Sequence, residues 1–367
     1  EGSFIDLTRW NEREVDRLCR VPGAALGSGR RPLQENEIDR IVDQLHKLGV
    51  RGIALIGGNG TMWTCNRLAR RSEQLGLDLQ VIGIPKTVDN DVAETDHTPG
   101  FGSAARFVAH AVRDLSVDLQ SMIGFEGIRI IETMGRNAGW LASSAMLAAP
   151  SGGDTPYRVY IPELAFDMDA MLNDAAHAYE QFRYGVIVVS EGIRDRNGQP
   201  MAMTSLQSGA GGRVLGGVGG RLAGEIISQL GIPCRYENLG MLQRCMAALV
   251  SEQDRIEAVE VGRRAAEELL AGHTGRMVCI RREEGPDYRF SLCTVDLERT
   301  AGVERTVDNR FLTDRNGLPV NREFLDWLKP LVGTVDSYPI FQRGEPVSIR
   351  RYGGNEGIGA RQNPRIR

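Results

Sequence analysis

Apolar positions recur along the chain in two alternating patterns. Over residues 37–48 they fall at 38, 41, 42, 45 and 48, the spacing of one helical face, and Gly49 follows as a terminator. Residues 51–56 (RGIALI) form a short apolar run that reads as a buried strand, 61–75 as the next helix and 79–84 (LQVIGI) as a strand closed by Pro85. Residues 101–122 read as a helix, 128–132 and 185–190 (GVIVVS) as strands, and 254–270 as a helix ended near Gly272. Short apolar strands separated by helices imply βαβ units and a parallel sheet. The expected fold is α/β, with two doubly wound lobes, mostly parallel sheets and helices on both faces.

Composition narrows the class. A chain of 367 residues holds two to three domains at roughly 150 residues each. With 41% apolar and 25% charged residues and a net charge of −4, it is an ordinary globular protein, not a disordered or collagen-like one. No run reaches the ~18 to 20 apolar residues of a membrane helix, and mild acidity argues against a nucleic-acid binder. Cys19, Cys65, Cys234, Cys245, Cys279 and Cys293 show neither CxxC nor metal-ligand spacing, so reduced thiols in a cytoplasmic protein are expected. Nothing at the start has the form of a signal or transit segment, although the first residue is Glu1 rather than methionine. Residues 343–367 carry six arginines against two glutamates and read as a flexible basic tail. Glycine, at 44 residues, is in excess while aromatics are only 6%, which suggests many tight loops where backbone approaches something closely.

Ligands of an open parallel sheet bind beyond the carboxyl ends of its strands, so the loops after the strands carry the interest. Gly57-Gly58-Asn59-Gly60-Thr61 follows RGIALI and opens a helix, where successive N–H groups and the helix dipole can receive an anion. It matches neither a GxxxxGK[ST] loop nor a GxGxxG fingerprint, and tight strand–helix packing is its plain alternative. Residues 85–91 (PKTVDND) place a cation, a hydroxyl and two carboxylates together: Lys86 can neutralise a phosphate, one carboxylate can take a proton, and the other can hold magnesium. The plain alternative there is a solvated acidic turn. In 134–139 (MGRNAG), Gly135 and Gly139 permit close approach and Arg136 offers a planar fork for phosphate. Glu191-Gly192 follows GVIVVS and could accept sugar hydroxyls, and Arg235 and Arg244 flank an apolar Leu-Gly-Met-Leu core in a way that suits a phosphate clamp. Together these describe phosphoryl transfer to a hydroxyl of an already phosphorylated substrate.

In this order the motifs IPKTVDND (84–91), MGRNAG (134–139), EG (191–192) and LGMLQR (239–244) resemble the phosphofructokinase family over residues 23–282. The resemblance implies a donor lobe (1–107 plus about 243–290) and a sugar-phosphate lobe (108–242 plus about 291–340), with the reaction in the cleft between them. It implies fructose 6-phosphate as acceptor, phosphorylated on its 1-hydroxyl in a glycolytic step, Mg2+, and a homodimer or homotetramer in which some arginines reach a neighbouring subunit's substrate. By position, Asp89 matches the general base, Thr87 its neighbour on the transferring phosphate and Arg136 the transition-state arginine. Met134, Gly135 and Glu191 match sugar contacts, and Arg235 and Arg244 the 6-phosphate clamp. Arg30, Gly58, Asn59, Gly60, Thr61 and Lys86 fall at donor positions, and Asp91 with Asn59 at the metal.

The departures concern the donor and the clamp. ATP-using members usually carry Asp at Asn59, and some pyrophosphate users carry Asn there. Pyrophosphate users typically carry Asp at Gly60, where its carboxylate fills the space a nucleotide needs. Lys86 matches pyrophosphate users and some atypical ATP users, and 98–106 (TPGFGSAAR) looks like the pyrophosphate branch. Steric exclusion is the harder rule, so ATP is the expected donor and pyrophosphate the alternative, with a catalytically weak sugar-phosphate-binding paralogue as a third reading. Met241 stands where many bacterial ATP enzymes have a sugar-binding histidine. Gly127 stands where many have an arginine that crosses the interface, with Arg129 two residues away. The family's first strand and Gly-Gly-Asp loop have no counterpart before Gly57, so either an N-terminal segment is missing from this sequence, the favoured expectation, or part of the donor site has been lost. The glycines of 209–220 are expected to serve a flexible connection and close helix packing.

Overall fold

The expected strands and helices form, and further ones appear between them. A computed structural model of the chain describes residues 5–21, 23–29, 33–149, 154–201, 203–207, 213–336 and 338. Arg30, residues 209–212 and the basic tail 343–367 therefore lie outside the described residues. In chain order the elements are α1 (Glu12–Leu18), α2 (Glu35–Lys47), β1 (Gly52–Gly57), α3 (Asn59–Gln74), β2 (Gln80–Pro85), α4 (Phe101–Ser121), β3 (Ile128–Thr133) and α5 (Trp140–Ser144). There follow β4 (Tyr157–Tyr160), α6 (Met168–Phe182), β5 (Gly185–Ser190), β6 (Met203–Gln207), β7 (Arg213–Leu215), α7 (Val218–Leu230) and β8 (Cys234–Asn238). The last are α8 (Glu252–Leu270), β9 (Arg276–Arg282), β10 (Phe290–Asp296) and α9 (Arg322–Val332).

Two four-stranded sheets organise the described residues up to Asp336, which pack as one compact unit. The first has the order β1-β2-β9-β10, parallel except for the β9–β10 hairpin. The second, β4-β5-β3-β8, is parallel throughout. All six residues of β3 and all six of β5 are buried, as parallel strands covered on both faces should be. One face of this sheet packs Ile128, Ile130 and Val189 against Leu172 of α6 and Leu222 of α7, and the other packs Ile131 and Val188 against Val108 and Val112 of α4. The first sheet buries Val81 and Cys279 under Val42 of α2 and Leu68 of α3. An aromatic cluster of Phe101, Trp140, Phe311, Phe324 and Trp327 joins α4, α5 and α9, with Trp140 and Trp327 centroids 5.2 Å apart. Each such ring removed from water stabilises by about 1.5–3 kcal/mol.

One expected boundary needs correction. Residues from about 291 were assigned to the sugar-phosphate lobe, yet β10 pairs antiparallel with β9 in the first sheet, Cys293 opposite Cys279. The connection of residues 283–289 is short, and a short connection favours the adjacent antiparallel strand. Among the described residues, no helix is long and apolar enough to cross a membrane.

Candidate active site

The strand-ending loops of both sheets meet. β1 ends at Gly57 and α3 starts at Asn59, with Gly58 between them as an N-cap and no side chain capping the helix. Thr61 and Met62 N–H close the first turn on Gly58 O at 2.9 and 3.1 Å, so the N–H groups of Asn59 and Gly60 are the ones that can meet an anion. Packing requires Gly57, because a Cβ there would lie 2.0 Å from Thr61 Oγ1; a Cβ on Gly60 would meet nothing within 4 Å. Asn59 links this loop to the next one. Its Nδ2 donates to both the backbone oxygen and Oδ2 of Asp91 at 3.0 Å, while its Oδ1 is buried without a hydrogen-bond partner.

The loop after β2 is pinned along its length. Lys86 N–H donates to Gly57 O at 2.9 Å, while its side chain is exposed. Asp89 N–H donates to Thr87 Oγ1 at 3.2 Å. Asn90 is fully buried in the left-handed region, φ 54°, a conformation Asn tolerates better than most residues. Its Oδ1 accepts from Thr98 N–H at 3.0 Å, and Thr98 Oγ1 donates to Thr87 O at 2.8 Å.

The loops after β3 and β5 are packed on each other. Gly135 has φ 130°, and a Cβ there would lie 2.4 Å from Ala138 O. Ser190 Oγ donates to Gly135 O, and a Cβ on Gly192 would lie 1.8 Å from Arg136 O. The Glu191-Gly192 pair is therefore fitted against the backbone that carries Arg136, whose side chain is exposed. Met134 N–H donates to Gln243 Oε1 at 3.0 Å, which ties the 239–244 segment to the same turn. Asn137 donates to Glu304 at 2.8 Å.

The site is crowded with negative charge. Burial, and next the charge of Asp89, push the Glu191 carboxyl up to about 7, with Arg136 opposing. Burial, then Asp89 and more weakly Glu304, push Asp91 up to about 6. Asp89, Asp91, Glu191 and Glu304 thus repel one another, a repulsion that a bound cation would relieve. Among the described residues no cluster of three His, Cys, Asp or Glu side chains encloses a metal. Magnesium does not need one, since it commonly keeps waters and binds through one or two carboxylates plus substrate phosphates. Asp91 with the buried, unsatisfied Oδ1 of Asn59 fits that pattern.

Residues 2–269 match the family described as Phosphofructokinase. The chain belongs to the phosphofructokinase family. It is 36% identical over 327 residues to a sulfofructose kinase of Alkalicoccus urumqiensis, covering 89% of this chain and 82% of that one. It is 32% identical over 349 residues to a pyrophosphate–fructose 6-phosphate 1-phosphotransferase of Halomonas elongata, covering 94% and 83%. The crystal structure of a pyrophosphate-dependent phosphofructokinase from Nitrosospira multiformis aligns with a TM-score of 0.81 at 29% identity, over 94% of this chain and 83% of that one. Relatives named for pyrophosphate and for ATP both match.

Against this family pattern, Asp89, Asp91, Glu191 and Arg136 come together in one chain, and Arg235 does not join them. On β8 it lies opposite Arg129, toward the start of the strand, with Nε 3.7 Å from Glu126 Oε2 and its side chain 68% exposed. Arg244 and Met241 sit on the exposed 3-10 turn Gly240–Arg244. Arg129 cannot stand in for an interface-crossing arginine. It is buried, held at 2.8 Å by both Glu126 oxygens and at 2.6 Å by Asp118. An arginine at Gly127 is also excluded without rearrangement, since a Cβ would lie 2.6 Å from the Tyr179 ring and 2.7 Å from Ile232.

Sequence reasoning missed Glu132, Gln243 and Glu304. Glu132 is buried and accepts from Gly217 and Gly219 N–H at 3.0 and 2.8 Å, so the glycines at the start of α7 are turned to this carboxylate and to helix packing. Glu132 stood in a strand already read as buried, and a charge within such a run was the available signal.

Proposed function

We propose that this chain transfers a phosphoryl group from ATP to the 1-hydroxyl of fructose 6-phosphate, giving fructose 1,6-bisphosphate. The observation that carries the reading is the convergence of Asp89, Asp91, Glu191 and Arg136 from three strand-ending loops. Asp89 takes the hydroxyl proton as the oxygen attacks, and Thr87 contacts the transferring group beside it. Arg136, seated on the Gly192 backbone, meets charge on the transferring phosphoryl oxygens. Glu191 in its ionised form accepts from sugar hydroxyls. Magnesium, held by Asp91 and Asn59 Oδ1, would supply positive charge to the donor phosphates.

The open space at Gly60 supports ATP as donor. Pyrophosphate is supported by Asn59, Lys86 and the names of most of the similar relatives. Each donor offered separately, with fructose 6-phosphate and magnesium, decides between them. A higher kcat/KM is expected with ATP, and turnover with pyrophosphate alone would overturn the donor assignment.

A second acceptor reading, a sulfofructose, is favoured by the similarity to a sulfofructose kinase and by the closed packing around Gly127. A sulfonate carries one charge where a phosphate carries about two, so it needs fewer arginines. Including that acceptor in the same assay tests it; no turnover with it dismisses it.

A further inference from the structure

Between the catalytic loop and α4 lies a buried histidine that the reading above leaves unused. His97 is 1% exposed. Its Nδ1 is 2.8 Å from Asp96 Oδ2 and its Nε2 is 2.6 Å from Glu257 Oε2. Ionised carboxylates only accept, so both ring nitrogens must carry hydrogen and the ring is an imidazolium. The surrounding charges balance it. Arg282 on β9 reaches Asp96 at 3.4 Å and lies over the Tyr288 and Trp327 rings. Tyr288 and Gln253 donate to the other oxygen of Glu257. Trp327 on α9 donates to Asp96 at 3.2 Å, and Arg305 donates to the Thr95 and Asp96 backbone oxygens. Asp254, one turn before Glu257 on α8, accepts from Gly100 and Ser103 N–H at 2.7 and 2.9 Å.

The segment so gripped carries the catalytic loop. Thr98, the next residue, makes the hydrogen bonds to Asn90 and to the Thr87 carbonyl. Arg305 N–H also donates to the Asp91 carbonyl at 2.8 Å.

We propose that His97 is a positioning residue, whose charged ring, clamped between Asp96 and Glu257, fixes Thr98 and through it the loop that places Thr87, Asp89 and Asp91. The proposal rests on the reading of that loop as catalytic. Burial alone would lower the His97 pKa, but the hydrogen bonds to Asp96 and Glu257 outweigh it and raise it to about 8. The folded value exceeds the ordinary 6.5, so the stabilisation is complete below pH 6.5 and is lost as pH rises through about 8. Losing the proton leaves one of the two carboxylates, Asp96 or Glu257, facing a ring nitrogen without hydrogen, and the clamp loosens. A misplacement of the loop by about 1 Å is enough to lower turnover about a hundredfold.

The experiment compares wild type, His97→Gln and Glu257→Gln over pH 6.5–9.5, following kcat and KM separately together with amide hydrogen exchange of residues 87–98. In wild type, kcat is expected to fall by about tenfold or more across the alkaline limb with little change in acceptor KM, while exchange of the loop rises beyond its intrinsic pH dependence. Glu257→Gln moves both transitions to lower pH. His97→Gln lowers kcat at every pH and abolishes both transitions. An alkaline limb or a protection profile in His97→Gln identical to wild type would overturn the proposal. If His97→Gln does not fold, Glu257→Gln carries the test alone, and transitions unmoved in it would equally overturn the proposal. If wild type transfers phosphoryl groups to neither acceptor, the catalytic reading fails while the exchange profile still decides whether His97 holds the loop.

Discussion

The carboxylate end of the site and its arginine end are built in opposite ways. Every carboxylate-bearing loop is tied to backbone. Asn90 and Thr87 are bonded to Thr98, Asp91 to Asn59, and the Glu191-Gly192 turn is pressed onto Arg136. Arg235 and Arg244 are exposed, and Arg235 lies on the part of β8 remote from Asn238, the end that faces Glu132. Groups that exchange protons or meet transition-state charge lose most of their effect when displaced by an ångström, so the backbone that carries them is fixed before substrate arrives, under the exposed Arg136 side chain as well. Groups that only bind an anion can be long, solvated side chains that take their final place on binding or come from another copy of the chain. The same contrast explains the pKa shifts, which arise where burial and like charge are enforced at the carboxylate end.

Three substitutions can break or sharpen this comparison. Asp89→Ser is expected to lower kcat by about a hundred- to ten-thousandfold while acceptor KM changes little. Unchanged turnover would remove Asp89 from the role of base. Glu191→Gln tests the enforced repulsion. The Glu191 carboxyl sits at about 7 against an ordinary 4.5, so the folded chain binds the extra proton between those values and stability falls as pH rises from 4.5 to 7. The Gln variant should be more stable than wild type at pH 8, on the order of 1 kcal/mol, with a raised acceptor KM. Parallel stability–pH curves in urea melts would refute the repulsion. Arg235→Ala is the mildest. Its effect on stability should stay within about 0.5 kcal/mol, because its side chain is largely exposed and Arg129 already holds both oxygens of the buried Glu126, with kcat kept and acceptor KM raised. A KM equal to wild type would exclude Arg235 from the clamp.

Much of the architecture was legible because long apolar runs with clear periods leave few alternatives. The strands at 52–57, 80–85, 128–133 and 185–190 and the helices following the first two lie within a residue or two of expectation. β8 was not legible, since CRYEN is polar and mostly exposed and owes its strand form to pairing with β3. β10 also escaped because its place depends on a hairpin partner. The site's glycines were read as loop formers, and the structure separates them by cause. Gly57 and Gly192 are dictated by close backbone or side-chain approach and Gly135 by a positive φ as well, whereas Gly60 is free of any neighbour.

By itself the sequence determined the α/β class, the loops that carry the chemistry and the family resemblance, because these depend on local period and on motifs a few residues long. Only the tertiary structure decided which of those residues meet. Asn59 faces Asp91 across 32 residues and His97 faces Glu257 across 160, while Arg129 is consumed by Glu126 and Asp118. Such pairings are set by how two sheets and their helices pack. Packing depends on residues distant in the chain, so no local pattern announces it.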